Sequence, residues 1–460
     1  MSQSDAFDTL PLSVATLANL RQLGFERMTP IQAASLPVAL AGRDLIAQAA
    51  TGSGKTAAFS LPLLTRLDPR QFAVQALVLC PTRELADQVT QEMRRLARAA
   101  DNIKILTLCG GTPLRPQLAS LEHGAHVVVG TPGRILDHLE RGSLVLDGVR
   151  TLVLDEADRM LDMGFFDDIA ALASRCPNDR QTLLFSATYP EGIARLSRQF
   201  LREPQQIRVE TRHDKAKIQQ RFYEIDGSLR LPAVALLLDH FRPQRTLAFC
   251  NTKQRCRDLV ERLIAQGYEA LALHGELEQR ERDQVLIRFA QRSCSVLVAT
   301  DVAARGIDIS QLEAVINVDI SPDPEVHVHR IGRTGRADAQ GLAFSLASGE
   351  EMGRVAQIET TQGENAAWHP LGELTPADTQ RLVPPMATLQ ILGGRKEKIR
   401  PGDVLGALTG EAGLPAARIG KINVTDMSTY VAVERGIAQE ALRKLAEGKL
   451  KGRKVKVRRL

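Results

Sequence analysis

The sequence predicts an α/β protein: two tandem domains, each a parallel sheet covered by helices on both faces, then a small α+β module. Short apolar runs stop repeatedly at clusters of Gly, Thr, Asp or Arg, as in "ALVLCPTREL", "HVVVGTPGR", "TLVLDEAD" and "TLLFSAT". A second series, "TLAFCNTK", "ALALHGE", "SVLVATDVAARGID" and "AVINVD", does the same further on. Stretches of helical period, such as "ELADQVTQEMRRLARAA" and "CRDLVERLIAQ", lie between them. Apolar strands alternating with helices make a doubly covered parallel sheet, whose ligands bind beyond the carboxyl ends of the strands. The polar clusters fall at those ends. The chain then closes on "EGKLKGRKVKVRRL", where Lys449–Arg459 holds seven cations and no anion. Lys454 to Arg458 alternates polar and apolar, the period of a half-buried strand rather than of a solvated tail.

A length of 460 residues suits about three domains. The first is expected at 1–208 and the second at 209–370, divided at the charged "RVETRHDKAKIQQ". A polar, Pro-rich stretch, "GELTPADTQRLVPP", gives a linker at 371–386 before a module at 387–460. No apolar run approaches the ~18 residues of a membrane span. The start, "MSQSDAFDTLPLS", lacks the basic and apolar regions of a secretory signal, so a cytoplasmic protein without a membrane partner is expected. Cys80, Cys109, Cys176, Cys250, Cys256 and Cys294 form no CxxC pair and lie mostly in or after apolar runs. They read as buried reduced thiols rather than disulfides or a zinc site. Charge is uneven: the whole chain is +5, but residues 387–460 carry sixteen Lys or Arg against seven Asp or Glu. A mildly acidic body with a basic terminal module concentrates nucleic-acid affinity at that end.

The chemistry begins at "AQAATGSGKT", a glycine-rich loop between an apolar strand and a helix. Gly52 and Gly54 let the backbone approach phosphate, and the helix amino terminus presents free N–H groups. The expected cradle runs through Ala50, Thr51, Gly52, Ser53 and Gly54. Lys55 would reach the β- and γ-phosphates, and the Thr56 hydroxyl would ligate Mg²⁺. Ala49 stands where such loops usually begin with glycine. In "TLVLDEAD" a strand delivers Asp155, Glu156 and Asp158 together, which repulsion disfavours unless a cation is present. Asp155 suits Mg²⁺, and Glu156 can orient or deprotonate the attacking water. "HRIGRTGRA" offers Arg330, Arg333 and Arg336 for charge that grows on the γ-phosphate. Those arginines belong to the second domain and the phosphate loop to the first, so hydrolysis is expected to require domain closure.

Together these residues resemble the DEAD-box ATP-dependent RNA helicases, over nearly the whole chain. Asp155-Glu156-Ala157-Asp158 spells the family's name motif, and "ATGSGKT", "PTRELA", "TPGR", "SAT", "ATDVAARGID" and "HRIGRTGR" follow the family order. The resemblance implies two RecA-like domains using ATP and Mg²⁺. It implies that Gln32 hydrogen-bonds the adenine edge with Phe7 nearby, and that Asp308 contacts the ribose. It makes Arg333 and Arg336 the arginine fingers, and it has Ser186 and Thr188 link hydrolysis to strand separation through Asp158. RNA contacts are implied for Pro81, Thr82, Arg83, Gly110, Gly111, Thr131, Pro132, Gly133 and Arg134, and for Gln279, Arg282, Thr300 and Gly306. Most of these offer backbone N–H groups, hydroxyls or cations, which suit phosphates and 2′-OH groups rather than base edges. Val318 and His327 stand where family members often carry Tyr, departures expected to cost little because neither position supplies a charge.

From Ala387 the order strand, helix, strand, strand, helix, strand is that of an RNA-recognition motif. Its third strand offers only Tyr430 where a stacking sheet presents several aromatics. Cations such as Lys451, Arg453 and Lys454 are the expected RNA contacts instead. The segments "RPGD", "GALTG" and "IGKI" resemble a bacterial branch of the family. That resemblance implies a 23S ribosomal RNA hairpin as target and a role in large-subunit assembly, with no stable protein partner. A general RNA chaperone or non-catalytic clamp, and a processive DNA translocase, are the competing classes. RNA-stimulated ATP turnover separates the enzyme from a clamp.

Overall fold

The computed structural model describes residues 5–49, 52–189, 191–209, 218–304, 312–335, 340–376, 382–411 and 413–460. They form two compact units. In the first, seven parallel strands run in chain order β1 (Leu45–Gln48), β2 (Ala76–Leu79), β3 (Ile105–Leu108), β4 (Val127–Gly130), β5 (Thr151–Leu154), β6 (Gln181–Ser186) and β7 (Gln205–Arg208). Their order across the sheet is β3-β4-β2-β5-β6-β1-β7. Alternate residues feed two separate cores: Leu45, Ala47, Val78, Val127 and Phe185 face one side, and Ile46, Leu77, Leu79, Val128 and Leu184 the other. Burial on both faces explains why these strands read as unbroken apolar runs.

The second unit begins with β8 (Ile218–Glu224), β9 (Thr246–Phe249), β10 (Ala270–Leu273), β11 (Val296–Ala299), β12 (Ala314–Asn317) and β13 (Gly341–Ala347). This sheet is again all parallel, ordered β10-β11-β9-β12-β13-β8. Both expected divides fall partly on residues 210–217 and 377–381, which lie outside those described. The described part of the expected linker is not loose. Leu374 and Leu382 are buried in the core of the second sheet, and His240 Nδ1 either donates to the Thr375 carbonyl (3.0 Å) or accepts from its N–H (3.2 Å), according to tautomer. At its described ends, Leu374 and Leu382 hold the stretch against the domain.

The same unit ends in a four-stranded antiparallel sheet: β14 (Met386–Ile391), β15 (Ile419–Val424), β16 (Thr429–Glu434) and β17 (Val457–Arg459), ordered β15-β16-β14-β17. Helices Pro401–Gly406 and Ala438–Glu447 complete the expected βαββαβ order. The last strand is shorter than its alternation predicts, beginning at Val457; ahead of it Lys451 (φ 53°) and Gly452 (φ 76°) turn the chain and Leu450 bridges Arg453. Val455 and Val457 still pack on the module's core while Lys454 and Lys456 stay exposed. All six cysteines are buried and free. No helix among the described residues is long and apolar enough to cross a membrane.

His327 corrects the expectation that its departure from Tyr costs little. The ring is fully buried, stacks on Phe222 with centroids 5.9 Å apart, and has no hydrogen-bond partner on either nitrogen. Burial, helped by Arg330, pushes its pKa down to about 4. The unfolded imidazole therefore binds protons that the folded one rejects, and stability falls as pH drops from about 6.5 towards 4. His327→Phe is expected to raise stability by roughly 1 kcal/mol or more at pH 7.5, since two unpaired buried nitrogens disappear. Urea denaturation at pH 7.5 and pH 5 checks this: the gain must widen in acid.

Candidate functional site

The strand order sorts the first unit's polar ends into two groups. β5, β6 and β1 are neighbours, so their carboxyl ends bring together the glycine loop, Asp155–Asp158 and Ser186–Thr188. Leu154 pairs with Leu184 and Gln48 with Ser186, and Ala49 N–H donates to the Ser186 carbonyl at 3.0 Å. Gly54 precedes helix Lys55–Thr65 with φ +94°. The positive φ favours glycine there, and a Cβ would lie 2.5 Å from Gln32 Nε2, so any other residue would also push that amide aside. Gln32 closes the loop from behind: its Nε2 donates to the Gly54 carbonyl at 3.0 Å, and its Oε1 accepts from Thr29 N–H at 2.9 Å. One N–H and one lone pair remain, enough for an adenine edge. Phe7 is buried and meets Phe25 edge to face, ring centroids 6.2 Å apart. Ala50 and Thr51 lie outside the described residues; Gly52, Ser53 and Thr56 sit on the loop and first helical turn.

The centre of this group is incomplete as it stands. Lys55 is buried with no hydrogen-bond partner on Nζ, and Asp155 Oδ1 likewise lacks one. Burial pushes the Asp155 carboxyl up to about 7, with Lys55 opposing and Glu156 adding to the shift. A buried ammonium and carboxylate oxygen without partners, beside a helix amino terminus, fit a phosphate with its cation. Glu156 sits at φ 52°, ψ 51°, a left-handed conformation uncommon outside glycine, and its Oε2 accepts from Arg159 Nη1 at 2.8 Å. Asp158 is the best-satisfied member. Its Oδ2 accepts from Ala187 N–H (3.1 Å), Thr188 N–H (2.9 Å) and the Thr188 hydroxyl (3.0 Å), while Ser186 Oγ accepts from Asp158 N–H at 3.3 Å. Burial opposes its ionisation, but Lys55 and the Thr188 hydrogen bonds outweigh that and hold the pKa below the usual carboxylate value. The expected coupling trio is thus one hydrogen-bonded unit.

β3, β4 and β2 form the other half of the same sheet and carry the expected RNA segments. Thr82 caps helix Arg83–Leu96 by accepting from Leu85 N–H at 3.3 Å, with Pro81 ahead of it. Thr131 and Pro132 open helix Pro132–Glu140, followed by Gly133, and Gly110 and Gly111 turn after β3. Arg134 is less available than expected: Nη1 donates to the Thr112 carbonyl (3.2 Å) and to Gln117 Oε1 (3.0 Å). Gln117 also binds the Cys109 carbonyl, Thr112 and the buried His138. This polar knot fixes the Gly110–Thr112 turn to the next helix.

In the second unit, Thr300 follows β11 and accepts from Ala304 N–H at 2.9 Å. Arg282 Nη2 donates to the Ala303 carbonyl at 3.1 Å, and Gln279 opens helix Gln279–Ala290. Arg333 is buried, while Gly306, Asp308 and Arg336 lie outside the described residues. Arg330 is not a phosphate ligand as the sequence grouping suggested. Its side chain is 1% exposed and bound on all sides by protein, including a bidentate pair with Asp301.

The terminal module meets the second sheet's domain through the face that an RNA-recognition motif would show to RNA. Thr388, Gln390 and Tyr430 point away from the module's core yet are buried, Tyr430 to 3% exposure. Gln291 Nε2 lies 3.1 Å from the Tyr430 carbonyl and 3.0 Å from Asn423 Oδ1, while its Oε1 accepts from the Thr388 hydroxyl at 2.8 Å. Ser293 Oγ lies 2.7 Å from Thr388 Oγ1, and Arg435 pairs with Glu269 at 3.0 Å. Of the expected cations, Lys451 is engaged: its Nζ donates to the Lys398 carbonyl at 2.6 Å and pairs with Asp403 at 3.2 Å. Arg453, Lys454 and Lys456 are exposed.

Comparison with known proteins adds the family. Three family models match: DEAD/DEAH box helicase over residues 29–196, helicase conserved C-terminal domain over 231–338, and DbpA RNA binding domain over 388–459. The chain is 52% identical over 458 residues to the ATP-dependent RNA helicase DbpA of Escherichia coli (strain K12), covering 99% of each. It is 45% identical over 356 residues to the DEAD-box ATP-dependent RNA helicase CshA of Geobacillus kaustophilus (strain HTA426), covering 77% of this chain and 76% of that one. Among solved structures, S. cerevisiae Dbp5 bound to RNA and ADP BeF3 matches with a TM-score of 0.73 at 30% identity, over 80% of this chain and 96% of that chain.

Proposed function

Because the chain belongs to the DEAD-box family of ATP-dependent RNA helicases, we propose that it unwinds short RNA duplexes locally and is directed by its terminal module to a 23S ribosomal RNA hairpin in large-subunit precursors. ATP use and RNA binding come with the family. The observation that carries the targeting is the module itself, a DbpA-type RNA-binding domain with net charge +9 across residues 387–460.

In this reading the first sheet's two halves take the two ligands. The β5-β6-β1 ends hold ATP: Lys55 draws the β- and γ-phosphates, and Gln32 selects adenine. Mg²⁺ would rest on Thr56 and Asp155, whose buried Oδ1 has no protein partner. Bound there, Mg²⁺ neutralises charge on the phosphates. Glu156 orients and deprotonates the attacking water, and Arg333 and Arg336 stabilise the departing phosphate. Asp158, held by Ser186 and Thr188, carries the state of the phosphate site into the 186–188 segment. The β3-β4-β2 ends bind the RNA backbone, which gives no sequence preference by itself.

ATPase activity measured with a panel of ribosomal RNA fragments tests this. One hairpin-containing fragment should stimulate turnover at far lower concentration than random RNA. Equal stimulation by all fragments would leave a general RNA chaperone and remove the targeting.

A further inference from the structure

We propose that Arg330 is a positioning residue through which RNA held at the 300–304 turn sets the placement of Arg333. The guanidinium has five N–H donors, and five acceptors surround it. Nε donates to Asp301 Oδ1 at 2.7 Å. Nη2 donates to Asp301 Oδ2 at 2.6 Å and to Asn251 Oδ1 at 2.9 Å. Nη1 donates to the Asp319 carbonyl at 2.8 Å and, more weakly, to Asn317 Oδ1 at 3.4 Å. The planar group also lies 5.1 Å from the Phe249 ring centroid. With every donor engaged, Arg330 has nothing left to offer a phosphate. Its work lies in what it ties together.

One end of the tie is catalytic and the other faces RNA, a statement that rests on the site reading given above. Arg330 ends helix Pro324–Ile331, and Arg333 N–H donates back to the Arg330 carbonyl at 3.1 Å. The bonds of the Arg330 side chain therefore anchor the helix end from which the backbone continues to Arg333. Asp301 opens the short turn Asp301–Ala304, directly after Thr300. That turn is gripped a second time by Arg282, whose Nη2 reaches the Ala303 carbonyl. Two guanidinium groups thus hold one turn, Arg282 at the Ala303 carbonyl and Arg330 at the Asp301 carboxylate. Asn251 adds rigidity by donating to the Ile320 carbonyl and, through its N–H, to Asp319 Oδ2 at 3.0 Å. A bidentate fork transmits orientation as well as distance, which a lysine ammonium cannot do.

The test uses the full chain with oligouridylate as RNA. Arg330→Lys keeps the charge and loses the fork, so RNA stimulation of kcat should fall about 10–100-fold, the scale of a small misplacement of a catalytic group. The affinities for a fluorescent ADP analogue and for oligouridylate should stay within about twofold of the parent's, a stimulation loss without a binding loss. Arg330→Lys combined with Arg282→Gln should lose no more stimulation than the worse single variant, because both cut one path. Losses that multiply would overturn the relay. So would a lower melting temperature with the stimulation ratio unchanged per folded molecule, which is a purely structural role. If Arg330→Lys does not fold, Asp301→Glu, which keeps a bidentate carboxylate on a longer stem, enters the same cycle with the same criterion. Arg333→Ala separates the two readings. Near-normal turnover in that variant removes the finger assignment, whereas lost turnover beside an unaffected Arg330→Lys removes only the relay.

Discussion

Glu156→Gln is expected to bind ATP as the parent does and to hydrolyse it about 10²–10⁴-fold more slowly, the usual contribution of a positioned general base. The substitution is close to isosteric, so the backbone at φ 52° and the hydrogen bond accepted from Arg159 Nη1 can both persist. What disappears is the basic oxygen. The strain supports the assignment: a non-glycine residue in the left-handed region is held there by its surroundings, and such positions cluster at sites where geometry matters more than local stability. Lys55→Ala should behave in the opposite way. Its buried Nζ has no protein partner, so the charge is held ready for a ligand, and its loss should weaken nucleotide binding before any effect on the chemical step. Equilibrium binding of a fluorescent ATP analogue and single-turnover hydrolysis separate the two phenotypes. Glu156→Gln that turns over within tenfold of the parent would remove Glu156 as the base.

Sequence pattern carried the sheets and the phosphate site because both depend on local, periodic signals. A strand buried on two faces must be apolar throughout, and a loop that receives phosphate must supply glycine and a cation at fixed offsets. The buried polar contacts were not legible, because each joins residues far apart in the chain. Gln117 sits on a helix like any solvent-facing glutamine, yet it accepts from Arg134 and meets His138 inside the fold. Gln291 lies in a turn where Arg292 adopts φ 58°, which reads as surface, and it anchors the terminal module through Thr388 and Tyr430, 97 and 139 positions away. Arg330 shares a motif with Arg333 and Arg336, and sequence spacing gave no means of telling an inward guanidinium from an outward one. In each case the decisive quantity is which acceptors surround the group, a property of tertiary packing.

Replacing Arg453, Lys454 and Lys456 together by alanine is expected to weaken hairpin binding roughly a hundredfold at 0.1 M salt, whereas Tyr430→Ala should cost little direct RNA contact. Each lost single-strand phosphate contact reduces the log–log salt slope by about 0.7, so three lower it by about 2, and at 0.1 M that amounts to about two decades in affinity. The three side chains are exposed, and the inward valines between them hold the segment in place, so their removal leaves the module's core intact. Lys451 is left out because its ammonium already joins the Lys398 carbonyl and Asp403, and its loss would confuse folding with binding. Tyr430 cannot stack on a base while its ring is buried and its carbonyl lies beside Gln291. Stacking by an available aromatic contributes about 1–3 kcal/mol per base, so Tyr430→Ala would show a loss of about fivefold or more if that ring touched RNA. Titrations of a ribosomal hairpin at several salt concentrations distinguish the outcomes, with Gln291→Ala as a control that loosens the docked face while keeping Tyr430 and the three cations in place. A steep loss from Tyr430→Ala beside an unchanged salt slope in the triple variant would mean that the sheet face leaves the helicase domain to bind RNA. An unchanged slope for Tyr430→Ala and a slope reduced by about 2 for the triple would put recognition on the cationic edge, where the shape of the folded hairpin rather than splayed bases supplies discrimination.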